Sequence, residues 1–130
     1  MFRALFALRH YEDEPPEPLR ASVEAAVGAS MRGLAAAQNT DGGWGQVAGA
    51  ASDVLSTSYS LLALTAGADT APVQAGGLRY LIAQQQGDGG FTSIPDSAGP
   101  RPIPHDLPVL ADTFALLALS RTLGAPPEPA

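Results

Sequence analysis

Two short stretches, QNTDGGWGQ at 38–46 and QQGDGGFTS at 85–93, place Asp-Gly-Gly-aromatic in the same order 47 residues apart. Each interrupts a segment rich in Ala and Leu. Adjacent glycines accept the positive φ that a tight reversal needs, and the Asp carboxylate bonds backbone amides within the turn. A helix ends just before each turn, and the next helix returns antiparallel to it. The aromatic residue then folds back over the helix end, where Gln38 or Gln85 bonds unpaired backbone groups. Gln38, Asp41 and Trp44, with Gln85, Asp88 and Phe91, are the structural turn residues.

The correspondence extends beyond the turns. Leu34 matches Leu81 at the same spacing, and LSTSYSLLAL at 55–64 matches LADTFALLAL at 110–119, now 55 residues apart. The longer spacing puts extra residues in the loop of the second unit. A repeat of this length, made of two helices, predicts an array of antiparallel helical hairpins. Apolar spacing predicts helices over 1–11, 18–38, 52–67, 71–86 and 107–123. Ser52 or Asp53 caps the third, Gly67 suits its end, and Pro72 fits the first turn of the fourth. Pro15, Pro16 and Pro18 break the chain after the first helix. One all-α domain over 1–130 is expected, with repeats over roughly 17–70 and 71–124 and a disordered tail at 125–130. The first helix looks like the trailing half of a further unit, giving two and a half hairpins.

A formal charge of -6 with only 7 Lys+Arg repels phosphate backbones and argues against a nucleic-acid partner. There is no Cys, so disulfides and thiolate metal sites are excluded. His10 and His105 lack metal-ligand spacing, and neither a metal nor a cofactor is expected. No apolar run reaches membrane-span length and no signal peptide is apparent, so a cytoplasmic protein is expected.

The units RGLAAAQNTDGGWG and LRYLIAQQQGDGGFTS, each followed by an LLAL helix, resemble the QW-type repeat of terpenoid cyclases, squalene-hopene cyclase among them, and of protein prenyltransferase beta subunits. The resemblance covers 31–119. It implies a partial alpha/alpha toroid in which the second helix of each hairpin is an inner helix lining an apolar cavity. It also implies an apolar isoprenoid (polyene) ligand, and a ring completed by a homo-oligomer or a partner subunit. The sequence departs from the family in having no DxDD acid motif. It also lacks the Asp-Cys-His zinc set, with Ala111 where the inner-helix His would fall.

Asp112, in the largely apolar VLADTFALLAL, is the candidate general acid, because a buried carboxylic acid facing an apolar cavity can start carbocation chemistry. Thr57 stands at the matching position of the first unit, so Asp112 is read as standing outside the repeat's own pattern. His105 and Asp106, beside Arg101 and Asp96, make the loop before the last helix polar and are further catalytic candidates. Tyr59 and Phe114 are candidate cation-stabilising, substrate-binding aromatics, with Ser56 and Arg101 as polar contacts. The alternatives are a non-catalytic module that binds a hydrophobic ligand or a protein, and a fragment of a longer toroid.

Overall fold

The computed structural model describes residues 17–64, 67–93 and 108–124. Four helices order the described chain: α1 (Arg20–Ala36), α2 (Val54–Ala63), α3 (Ala71–Gln84) and α4 (Pro108–Leu123). The fold is all-α. The expected helix at 1–11 and the tail at 125–130 lie outside the described residues.

Each helix boundary has a local cause. At the start of α2, Asp53 is extended and its Oδ1 accepts the Ser56 amide at 2.8 Å, which satisfies one of the donors a helix start leaves unpaired. Pro72 sits in the first turn of α3, where its missing N–H costs nothing. The end of α2 falls earlier than the spacing predicts. Leu64 turns to ψ 130 immediately after Ala63, so Gly67 does not terminate this helix. Gln85 likewise takes ψ 132 after α3, ending it two residues before the predicted boundary.

Helix α2 occupies the centre. It packs most extensively on α4 and next on α3. Its buried Ser58 and Ser60 turn their hydroxyls back onto the Val54 and Ser56 carbonyls, at 2.7 and 2.8 Å, so burial leaves them satisfied. On α4, Ala111, Ala115 and Ala118 are fully buried, and their small side chains permit the close approach to α2. Trp44, Leu34, Leu81 and Phe91 fill the rest of the core.

The two turns repeat each other bond for bond. The Asn39 amide donates to the Gly43 carbonyl as Gln86 does to Gly90, both at 2.9 Å. The Gly43 amide donates to Asp41 Oδ1 as Gly90 does to Asp88 Oδ1, again at 2.9 Å. Gln38 Nε2 donates to the Gly42 carbonyl at 2.8 Å, and Gln85 Nε2 to Gly89 at 3.0 Å. Gly42 and Gly89 hold φ values of 88 and 89, the left-handed region that glycine enters without a Cβ penalty.

The surroundings of the turns differ. Gln38 Nε2 also donates to the Val73 carbonyl of α3 at 2.8 Å, and the backbone of Gly76 lies directly over Gly42. Among the described residues nothing lies within 4 Å of the corresponding position on Gly89. The first turn is thus seated under α3, and no described helix covers the second in the same way.

Candidate functional site

The aromatic residue leaving each turn is held by its backbone amide. The Trp44 N–H donates to Thr57 Oγ1 at 3.0 Å. The Phe91 N–H donates to Asp112 Oδ1 at 2.6 Å. Asp112 therefore does for the second unit what Thr57 does for the first. It belongs to the repeat's pattern, contrary to the sequence expectation, because hydroxyl and carboxylate share the one property this position requires, an oxygen that accepts an N–H.

At the start of α2, Asp53 is 4% exposed. Its Oδ1 accepts from the Ser56 amide and from Ser93 Oγ at 3.1 Å. Its Oδ2 is buried with no partner among the described residues. Ser93 Oγ in turn accepts the Leu55 amide at 3.2 Å. The exit of the second turn thus clamps the beginning of α2. No sequence signal marks Ser93, because Gln46 occupies the corresponding place in the first unit.

Tyr80 faces the same region from α3 and is buried. Burial first, then the Asp41 and Asp53 carboxylates, raise its phenol from 10.0 to about 12. The folded state holds this proton more tightly than the unfolded state does. The stability that this confers is complete below pH 10 and is lost as pH rises from 10 to about 12. Spectrophotometric titration of tyrosinate should show a component ionising near pH 12, lost in Tyr80→Phe. A Tyr80→Phe variant that loses only the component near pH 10 would place this hydroxyl in solvent.

Tyr59 and Phe114 meet between α2 and α4, ring centroids 4.5 Å apart and planes tilted by 54°. Both are half-buried. Ser56 is buried one turn away on α2. The contact between Tyr59 and Phe114 joins α2 to α4, while Asp53 and Ser56 bond each other at the start of α2 and Asp112 bonds the Phe91 amide. Arg101, Asp96, His105 and Asp106 lie outside the described residues. An apolar recess of about 260 Å³ opens elsewhere, between the end of α1 and the loop after Trp44, lined by Leu34, Trp44 and Val47. Among the described residues no helix is long and apolar enough to cross a membrane.

No family model matches the chain. It is 43% identical over 131 aligned residues, 97% of its own length, to a drimenyl diphosphate synthase of Streptomyces showdoensis. It is 44% identical over 100 residues, 77% of its length, to a drimenyl diphosphate synthase of Streptantibioticus cattleyicolor. The chain is similar to a part of each of these two synthases. It spans 24% and 19% of the length of these two curated relatives.

Proposed function

We propose that this chain forms one sector of a terpenoid cyclase-like protein that holds an isoprenoid diphosphate by its apolar chain. In this reading α2 and α4 are inner helices of a partial toroid, and further hairpins, from other copies or from a partner, complete the cavity. The observation that carries it is the 43% identity over nearly the whole chain to an enzyme named for a terpenoid diphosphate product. The aromatic pair Tyr59 and Phe114 supports it, since aromatic faces suit a polyene and the cation it forms. A direct test is calorimetric titration with farnesyl diphosphate, a linear polyene diphosphate, beside inorganic diphosphate. The expected result is binding of the first and not of the second. Equal binding of both would remove the apolar chain from the recognition and defeat the proposal.

Within this reading Asp112 is a scaffold residue, and a proton donor for any cyclisation comes from outside it, because its Oδ1 already receives the Phe91 amide. A second reading makes Asp112 the acid itself, favoured by its place on the same helix as Phe114 and by its second oxygen. Asp112→Asn separates the two. The amide oxygen still accepts the Phe91 N–H, so stability should fall by only about 1 kcal/mol as a charged acceptor becomes a neutral one. The scaffold reading expects turnover, measured by product mass spectrometry in the assembled protein, to persist. Loss of all turnover with the fold retained would establish Asp112 as the acid.

A further inference from the structure

The exit of the second turn reaches two helices at once. Its Phe91 amide donates to Asp112 Oδ1 in the first turns of α4 at 2.6 Å. Two residues on, Ser93 Oγ donates to Asp53 Oδ1 at 3.1 Å and accepts the Leu55 amide at 3.2 Å, both at the start of α2. Residues 91–93 therefore strap the beginning of α2 to the beginning of α4. The exit of the first turn serves one helix, since Trp44 bonds Thr57 of α2 and the amide of its cap, Asp53. Each half of the Ser93 contact meets a buried group. The Leu55 amide is one of the donors that a helix start leaves unpaired, and Leu55 is buried. The Asp53 carboxylate is buried too, with Oδ2 already lacking a partner among the described residues, so a bond lost at Oδ1 is not made up by bulk water.

The packing between these helices leaves their register to such bonds. Helix α4 brings Ala111, Ala115 and Ala118 to the core, all fully buried. A methyl group permits close approach, but it offers no long knob to lock one helix against sliding or rotating on the other. Directional bonds at one end supply what the alanines do not. The consequence appears at Tyr59, which follows Leu55 by four residues and so lies one turn along the same face. Its ring meets that of Phe114 with centroids 4.5 Å apart. We infer that Ser93 is a positioning residue, holding α2 in the register against α4 that brings Tyr59 onto Phe114. Its purpose rests on the proposed function, in which this aromatic pair receives the polyene. The register itself is measured without ligand, so failure of isoprenoid binding and failure of the strap are told apart.

In the full chain, Ser93→Ala should raise the hydrogen-exchange rate of the Leu55 amide at least tenfold, while that of the Gly43 amide in the first turn stays within about twofold. The nuclear Overhauser contact between the Tyr59 and Phe114 rings should fall by at least half. Ser93→Thr keeps the hydroxyl and should restore both signals. A role confined to stability would speed both amides by one factor and leave the ring contact of the folded molecules unchanged. If Ser93→Ala does not fold, Ser93→Cys, similar in shape with a weak donor and acceptor, is read for the same two signals. Titration with farnesyl diphosphate is the separate arm. No binding by any form defeats the proposed function and not the strap, whereas binding that Ser93→Ala leaves unchanged overturns the positioning role. A Leu55 amide that exchanges faster beside an unchanged ring contact would also overturn it, as would equal acceleration of both amides or a Ser93→Thr variant that behaves like Ser93→Ala.

Discussion

Replacing Trp44 by Ala should destabilise the fold by about 3–5 kcal/mol, the range for removing a large buried aromatic side chain. The ring is 2% exposed. Two separate losses contribute. The first is the indole's packing against Gly77 of α3, which leaves a cavity at the junction between the units. The second is polar. Trp44 Nε1 donates to the Leu34 carbonyl at 2.8 Å, near the end of α1, where that carbonyl otherwise has only the longer bond from the Ala37 amide at 3.2 Å among the described residues. Trp44→Phe separates the losses, since it keeps most of the ring and removes the N–H, and it should cost about 1–2 kcal/mol. Urea denaturation followed by circular dichroism measures both. A loss below about half a kcal/mol in Trp44→Ala would mean that the ring does not join the units.

The second large effect is expected at Gly42, with Gly89 as its control. Both take a positive φ of almost the same size, so Ala carries the same backbone strain at either position, about 1 kcal/mol. Their surroundings are opposite. A Cβ on Gly42 would stand 2.5 Å from the Gly76 carbonyl oxygen and 2.9 Å from its carbon, whereas one on Gly89 would meet nothing within 4 Å among the described residues. The atoms in the way at Gly42 are backbone, so relief requires α3 to lift from the turn. Gly42→Ala should therefore cost ~3 kcal/mol or more, combining strain with overpacking, and Gly89→Ala ~1 kcal/mol. Equal costs would show that α3 is not seated on the first turn.

The turns were legible in the sequence because their chemistry is local. Asp41 reaches an amide two residues on, and the glycines meet a demand set within the turn itself, so a short motif carries the information. The helical hairpins followed from the spacing of the motif. The end of α2 was not legible. The Ala-Leu pattern runs on past Ala63 and Gly67 resembles a stop, but the backbone leaves the helix at Leu64. The bond of Asp112 to the second turn was not legible for a different reason. A carboxylate among apolar neighbours suggests chemistry, while its actual partner is a backbone amide 21 residues earlier that no side-chain pattern announces. Ser93, which reaches Asp53 across 40 residues, is invisible for the same reason. Contacts of that kind depend on where the second turn exits relative to α2, which is a property of the packed units.

Because the chain carries one hydrogen-bonded loop twice, it contains its own reference. The amides of Gly43 and Gly90 donate to equivalent Asp oxygens at the same distance, but Asp41 Oδ1 also accepts the Ser52 hydroxyl at 2.7 Å, and among the described residues only the first lies in a turn roofed by a neighbouring helix. The ratio of their hydrogen-exchange rates measures what the roof and the Ser52 contact contribute together, with the shared loop bonds cancelled. That ratio is obtained from a single sample, and its approach to unity would register the arrival of a neighbour on the second turn.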